Sequence, residues 1–191
     1  MSKVVVFMNL TLDGVMQAPG RPDEDPRGGF EHGGWAMPYA TMEAAEESKA
    51  YTGALLLGRR TYEDFYTVWP NRTDNPFTAV LNNTQKYVAS TTLSEPLPWS
   101  NSTLLGGDAA EAVARRKSEP GEDFVVLGSG ELVQSLMRRN LVDEYVLLIH
   151  PLVLGSGRRL FTDGGAFATL RLVGTKTTST GVVIATYAAT H

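Results

Sequence analysis

The feature that most constrains the fold is the apolar run Phe124-Val125-Val126-Leu127, which ends at Gly128-Ser129-Gly130. A near-continuous apolar run of this length is typical of a central strand that is covered on both faces. The glycine turn connects it to a segment over 131–139 that has helical character. A buried strand that leads directly into a helix indicates an α/β fold with parallel strands.

The rest of the chain repeats this alternation of strands and helices. The patterns predict further strands over 3–10, 55–57, 77–81, 86–90 and 142–149, and helices over 40–51, from 58 through the aromatic residues up to 66, and from the Asp108 cap to 117. Segment 91–103 lacks periodicity and is predicted to be a surface loop. Two β-rich segments, 170–175 and 182–188, are joined by 179–181 and predict a C-terminal hairpin. We therefore expect one domain, residues 1–191, folded as a three-layer α/β/α sandwich with a mixed, mostly parallel sheet.

Composition excludes several classes of chemistry. The 191 residues contain no cysteine, so there is no disulfide, thiolate nucleophile or cysteine zinc site. Three histidines, and no Gly-x-Ser-x-Gly or His-x-x-x-His pattern, predict neither a catalytic metal nor a serine hydrolase. The net charge of −4 gives no footprint for nucleic acid, and no run approaches the roughly 18 apolar residues that span a bilayer. We expect a cytoplasmic protein.

Two strand-to-helix junctions could hold a phosphate. At Gly128-Ser129-Gly130 the backbone N–H groups and the helix dipole can approach an anion, although a tight turn alone explains the glycines. Position 133 is Val, so the dinucleotide fingerprint with three glycines is incomplete. At Gly58-Arg59-Arg60-Thr61, two guanidinium groups adjoin exposed helix donors. They are either solvated charges or a device that selects a 2′-phosphate.

Two further segments follow strand ends. Segment 9–16 contains Asp13-Gly14, which is either an ordinary Asp turn or part of a loop that covers a ligand. His150 precedes the glycine-rich basic loop 151–159. Its place in an apolar strand before a proline favours a hydrogen-bonded structural histidine over an acid–base group. Arg158 and Arg159 are candidates for contact with a phosphorylated substrate or a second subunit.

The order of these segments resembles the dihydrofolate reductase superfamily. The resemblance rests on Leu12-Asp13-Gly14, the run from Gly58 to Glu63, Val88-Ala89-Ser90 and the run from Val126 to Leu132, and it covers nearly the whole chain. The Leu-Asp-Gly turn, the Gly-Ser-Gly turn and the stretch from Asp143 to Arg158 look most like the C-terminal reductase domain of the riboflavin deaminase-reductase. The zinc-dependent deaminase domain of that bifunctional enzyme is not present in this sequence.

The resemblance implies a set of site residues. It implies NADPH as cofactor and a small pteridine-like or pyrimidine substrate, with an activity related to that of 5-amino-6-(5-phosphoribosylamino)uracil reductase. The implied cofactor-binding residues are Asn9, Leu10, Met16, Gly58, Arg59, Arg60, Thr61, Ser90, Thr91, Leu127, Gly128, Ser129, Gly130, Glu131, Leu132 and Val133. The implied substrate-binding residues are Asp13, Trp35, Ile149 and Arg158. It also implies a homodimer, in which the apolar C-terminal hairpin could supply an edge for pairing.

The chain departs from true dihydrofolate reductases in the carboxylate of the first helix. Those enzymes carry one carboxylate on the first helix, whereas this helix offers Glu43, Glu46 and Glu47 without a clear equivalent. Our candidates for a catalytic carboxylate are Glu43 and Glu47, and a row of surface glutamates is the alternative. Two other functions stay open: a nucleotide-binding module without turnover, and a dihydrofolate reductase.

Overall fold

The sheet is built around β1 (Val4–Thr11), whose side chains are buried on both faces. In the computed structural model, which describes residues 1–75 and 77–190, Val4, Val6 and Met8 lie in one apolar cluster. Val5 and Phe7 lie in a second cluster. Because successive side chains of a strand point to opposite faces, packed layers cover the sheet above and below β1.

Within residues 1–75 and 77–190, eight strands form one sheet. After β1 they are β2 (Ala54–Gly58), β3 (Lys86–Ala89), β4 (Ser102–Leu105), β5 (Phe124–Leu127), β6 (Glu144–His150), β7 (Leu170–Thr177) and β8 (Val183–Ala189). Their spatial order is β4-β3-β2-β5-β1-β6-β8-β7. The pairs from β4 to β6 are parallel, and β8 is antiparallel to both β6 and β7. The predicted fold class, including the C-terminal antiparallel hairpin, is confirmed.

Among the described residues, five α-helices flank the sheet: α1 (Met42–Ala50), α2 (Arg59–Val68), α3 (Phe77–Asn83), α4 (Ala109–Ser118) and α5 (Gly130–Met137). The buried apolar residues of α4 and α5 belong to the first cluster, whereas those of α2 and α3 belong to the second. Asp108 caps α4 as predicted, since its side chain accepts a hydrogen bond from the Glu111 N–H. The helices therefore form the two outer layers of the sandwich.

Two predicted elements were wrong. Segment 77–81 is not a strand but the start of α3, because the Asn75 side chain accepts from the Phe77 N–H at 2.9 Å and begins a helix. Thr78 and Leu81, one turn apart, are the buried residues of that helix. Segment 91–103 is not wholly a loop, because β4 begins at Ser102 and pairs with β3 at the edge of the sheet. This strand has only four residues, three of them partly exposed, and gives no detectable alternation.

Candidate functional site

A large cleft opens at the carboxyl edge of the parallel strands. Strands β2, β5 and β1 are neighbours in the sheet, so the turns after Gly58, Leu127 and Thr11 meet at one edge. The cleft there has a volume of about 2090 Å³. Ligands of open α/β sheets bind at such an edge. The two strand-to-helix junctions singled out in the sequence both line the cleft.

The hydroxyl of Ser129 joins these two junctions. It accepts a hydrogen bond from the Gly58 N–H at 2.8 Å and donates to Thr61 Oγ1 at 2.9 Å. The bridge requires an unusual backbone, because Gly128 has φ 61° and Ser129 has φ 61° and ψ 50°. A non-glycine residue in the left-handed region is strained, and such strain is concentrated at functional sites.

The helices that start at these junctions differ from α1 and α4 in their caps. The N-cap residues of α2 and α5 make no side-chain hydrogen bond to the first turn. By contrast, Thr41 caps α1 and Asp108 caps α4 through their side chains. First-turn N–H groups without a cap are free to bind another acceptor. The cleft therefore presents two helix N-termini that suit phosphate oxygens.

Positive charge adjoins the start of α2. Both Arg59 and Arg60 line the cleft. One guanidinium nitrogen of Arg59 lies 3.1 Å from a carboxylate oxygen of Glu63, whereas Arg60 is exposed. Across the cleft, the guanidinium of Arg158 pairs with the Glu131 carboxylate in the first turn of α5. Arginine binds phosphate in a bidentate manner, so these side chains reinforce the preference for an anion.

Most of the predicted cofactor-binding residues share this cleft. Its lining includes Asn9, Met16, Gly58, Arg59, Arg60, Thr61, Ser90, Thr91, Leu127, Gly128, Ser129, Gly130, Glu131 and Leu132. Met16 packs tightly on the start of α5, since a Cβ atom at Gly130 would lie 2.6 Å from its sulfur. Leu10 and Val133 are instead buried in the core, with 4% and 0% exposure, and do not reach the cleft.

Asp13 is occupied with the backbone of a neighbouring loop. Its carboxylate accepts from the Thr11 hydroxyl at 2.6 Å and from the N–H groups of Leu154 and Gly155 at 3.2 and 2.9 Å. The hydrogen bond from Thr11, together with those backbone donors, lowers the pKa of Asp13 to about 2. Asp13 is not among the residues that line the cleft. It holds loop 154–159 against the end of β1.

Two other predicted substrate residues lie outside the cleft. Trp35 is only 6% exposed, and its indole N–H donates to the Gln17 carbonyl at 2.7 Å. Its ring also packs edge-on against His150 at 5.1 Å. His150 is buried, with Nδ1 3.0 Å from the Leu148 carbonyl, and burial lowers its pKa, as suits a structural histidine. Ile149 packs against the core. Of the predicted substrate residues, Arg158 lines the cleft.

The two candidate catalytic glutamates are on helix α1 and are not among the residues that line the cleft. The Glu43 side chain is exposed near the N-terminus of the helix, where hydrogen bonds from its own backbone and Thr41 lower its pKa. Glu47 is 10% exposed, but its carboxylate is 2.5 Å from Lys176 Nζ on β7. The described residues bring neither carboxylate into the cleft.

Sequence reasoning missed the segment that closes the other side of the cleft. We call residues 17–36, between β1 and α1, the strap. Glu24 and Asp25 of the strap line the cleft, and so do the aromatic residues Tyr51 and Phe65. Tyr51 packs on Phe7 with a ring separation of 5.9 Å. No local pattern marks these residues, because the strap has neither helical nor strand periodicity and its position depends on tertiary contacts.

Among the described residues there is no group of three or more His, Cys, Asp or Glu side chains that could hold a metal ion. Over the same ranges, no helix has the length and apolar character that crossing a bilayer requires.

Comparison with solved structures shows the class of fold. The chain superimposes on a protein of Shewanella sp. PV-4 with a TM-score of 0.69 (20% identity, 99% of both chains covered). It matches a pyrimidine reductase-like protein of Corynebacterium diphtheriae with a TM-score of 0.65 (12% identity, 100% and 92% covered). Dihydrofolate reductase of Enterococcus faecalis, complexed with NADP(H), gives 0.62 (14% identity, 99% and 97% covered). The fold is that of dihydrofolate reductase.

The family is shown by sequence. Residues 2–184 match the model of the RibD C-terminal domain, and the chain belongs to that family. It is 32% identical over 138 residues to YyaP of Bacillus subtilis (strain 168), covering 70% of this chain and 72% of YyaP. It is 28% identical over 181 residues to YwjB of the same organism, covering 91% of each. Both relatives are uncharacterized proteins. Family and fold together support a reductase-type role.

Proposed function

We propose that the protein is an NADPH-dependent reductase of a small, flat heterocycle of the pteridine or pyrimidine type. The observation that carries the proposal is the pair of helix N-termini without side-chain caps, which Ser129 joins at the carboxyl edge of the sheet. A dinucleotide has a pyrophosphate that would accept from such N–H groups. The match to the RibD C-terminal domain and the dihydrofolate-reductase-like fold favour the same chemistry.

The residues present fit this cofactor. Arg59 and Arg60 would hold the adenosine 2′-phosphate, because guanidinium groups near a ribose select NADP over NAD. The turns 58–61 and 127–132 would bind the pyrophosphate, and Ser90 and Thr91 would contact the adenosine end. Met16 would cover the nicotinamide end from the strap side. When bound, NADPH supplies the hydride. The chain supplies binding and orientation.

The other part of the cleft suits a planar substrate. Phe7, Tyr51 and Phe65 line it with aromatic rings, and Asn9 supplies an amide beside them. Aromatic side chains bury large apolar area and stack on flat rings, whereas the amide can hydrogen-bond polar ring edges. An activity related to that of 5-amino-6-(5-phosphoribosylamino)uracil reductase fits this lining. Arg158 is the side chain that would contact a phosphorylated substrate.

The test is a fluorescence titration of the protein with NADPH and, separately, NADH. Wild type should prefer NADPH, and Arg59→Ala and Arg60→Ala should each weaken NADPH binding by about tenfold or more, since a charge-assisted hydrogen bond contributes roughly 1.5–3 kcal/mol. Binding of NADH, which lacks the 2′-phosphate, should change little. Arg72→Ala is the control, because Arg72 pairs with Asp74 and stacks on Trp69 outside the cleft. Absence of binding to either nucleotide would refute the proposal.

A second candidate is a nucleotide-binding module without turnover. It is favoured by the position of Glu43 and Glu47, neither of which lines the cleft. The two functions differ in NADPH consumption with a panel of pteridines and pyrimidines. Oxidation of NADPH with any of them excludes the binding module, and turnover of dihydrofolate specifically would identify a folate reductase.

We also propose that the protein forms a homodimer through β7. This strand is at the edge of the sheet, so one side of its backbone lacks a partner strand among the described residues. Leu172 and Val173 on it are 53% and 55% exposed. Unpaired edges with apolar side chains favour strand pairing. Light scattering after gel filtration should give twice the chain mass, and Val173→Lys should give the monomer mass. A monomeric wild type would exclude this assembly.

A further inference from the structure

Six carboxylate side chains line the cleft, and among them only Glu24 is both partly buried and without an arginine partner in the described chain. The six are Glu24, Asp25, Glu63, Asp64, Glu131 and Asp163. Four of them pair with arginine: Asp25 with Arg27, Glu63 with Arg59, Asp64 with Arg21 and Glu131 with Arg158. Asp163 is exposed to solvent.

Glu24 has no arginine at ion-pair distance within the described chain. Instead, its Oε2 accepts backbone N–H bonds from Gly20 at 2.6 Å and from Arg21 at 3.0 Å. No described donor is bonded to its second oxygen, Oε1. One oxygen therefore anchors the side chain, and the other is left for a group in the cleft.

The surroundings of Glu24 favour its protonated form. Burial is the largest influence and raises its pKa, and the negative charge of Asp64 on α2 raises it further. The two backbone hydrogen bonds and the positive charge of Arg21 act in the opposite direction without reversing the shift. A carboxyl group whose pKa is raised toward the operating pH is suited to donate a proton.

The strap holds Glu24 in a fixed position. Its base is closed by hydrogen bonds from Gly34 N–H to the Ala18 carbonyl at 2.8 Å and from Ala36 N–H to the Pro19 carbonyl at 3.0 Å. Its interior is tightly packed, since a Cβ atom at Gly33 would lie 2.4 Å from a backbone oxygen. Functional groups perform best on such rigid supports.

An ion pair ties the strap to α2 across the cleft. The guanidinium of Arg21 makes two hydrogen bonds to the Asp64 carboxylate, at 3.2 and 2.6 Å. The backbone N–H of the same arginine donates to Glu24. Asp64 immediately precedes Phe65, which lines the aromatic part of the cleft. The Arg21–Asp64 ion pair therefore fixes the strap segment that carries Glu24 against α2, the helix that also carries Phe65.

We propose that Glu24 is the proton donor of the reductase, a role that rests on the proposed function. In the reduction of a C=N or C=O bond, the carbon takes the hydride of NADPH, which leaves NADP⁺, and the nitrogen or oxygen takes the proton of Glu24. The Glu24 carboxylate then recovers a proton from water. Glu24 would thus provide an acid in the cleft, where neither Glu43 nor Glu47 of α1 is among the lining residues.

The first test does not depend on a cofactor or substrate. The protein is labelled with ¹³C at the glutamate carboxyl carbons and titrated by NMR, and Glu24→Gln identifies the Glu24 resonance. The Glu24 carboxyl should titrate above the ordinary glutamate pKa of about 4.3. A midpoint at or below that value would overturn the proposal, whatever the protein binds.

The second test uses turnover with two probes, dihydrofolate and 5-amino-6-(5-phosphoribosylamino)uracil. Glu24→Gln keeps an oxygen for both backbone donors but has no acidic proton, so kcat should fall about 10²- to 10⁴-fold while the NADPH affinity and the unfolding midpoint stay unchanged. The wild-type kcat should fall as pH rises through the pKa of Glu24, and the variant should lack this dependence. Glu24→Asp should recover part of the activity.

The matched control is Asp163→Asn, which removes an exposed carboxylate at the rim and should leave kcat unchanged. Full activity of Glu24→Gln with an unaltered pH profile would overturn the role of Glu24 but leave the reductase intact. Failure of the wild type to bind NADPH would overturn the proposed function. The NMR titration would then still decide whether the pKa of the Glu24 carboxyl group is raised. If the wild type binds NADPH but does not oxidise it in the presence of either probe, the proton-donor role would be overturned.

Discussion

Ser129 offers a quantitative test of how the two junctions are joined. Ser129→Ala removes the hydrogen bond from Gly58 N–H at 2.8 Å and the one to Thr61 at 2.9 Å. A net contribution of about 1 kcal/mol for each bond predicts a loss of about 2 kcal/mol of unfolding free energy. Ser129→Gly loses the same bonds, but glycine relieves about 1 kcal/mol of strain at φ 61°. The glycine variant should therefore lose only about 1 kcal/mol.

The assay is urea unfolding at equilibrium, with stability taken from the midpoint at constant m. For m near 2 kcal/mol/M, the alanine variant should unfold at a urea concentration lower by about 1 M, and the glycine variant by about 0.5 M. Ser135→Ala is the control, because this serine lies on the same helix and makes no side-chain hydrogen bond to described residues. Its free energy of unfolding should stay within about 0.5 kcal/mol of wild type. A glycine variant that is less stable than the alanine variant would refute the reasoning.

Three further predictions concern stability. The folded state lowers the pKa of the Asp13 carboxyl group from 3.8 to about 2. The ionised carboxylate therefore stabilises the fold fully above pH 3.8, and this stabilisation is lost as pH falls toward 2. Asp13→Asn should lower the free energy of unfolding by about 1 kcal/mol at pH 7, since solvent screens part of the effect, and should show a smaller loss between pH 4 and 2 in urea melts. Gly53→Ala should cost about 2 kcal/mol, since its Cβ would lie 2.3 Å from the Asp123 carbonyl oxygen, whereas Gly106→Ala has open space and should be neutral in a thermal melt. Tyr62→Phe should cost about 1 kcal/mol in the same melt, because its hydroxyl accepts a buried backbone N–H at 3.0 Å.

The sequence was sufficient to predict the parts of the site that follow from strand order. The runs that end at Gly58 and Leu127 are short, apolar and followed by helices, so parallel pairing had to place both turns at one edge. The same rule places the end of β1 beside them. The Ser129 bridge could not be predicted, because it depends on the left-handed backbone of two successive residues.

Asp13 and Trp35 do not line the cleft, and both lie in irregular segments whose positions depend on tertiary contacts. The resemblance implies Asp13 as a substrate residue, but its carboxylate is directed to a loop about 140 residues later in the chain. Trp35 is an aromatic residue in a polar segment, yet its indole N–H finds a buried carbonyl and the ring enters a small core. Contacts this distant in sequence leave no periodic signal.

Hydrogen–deuterium exchange with and without saturating NADPH tests the central claim most directly, because the claim assigns the cofactor to named backbone N–H groups. The account predicts slower exchange in peptides that cover 58–61 and 128–132, and little change in β7 and β8. Protection confined to other segments, or no protection when NADPH is bound, would contradict the assignment of the two helix N-termini as the cofactor site.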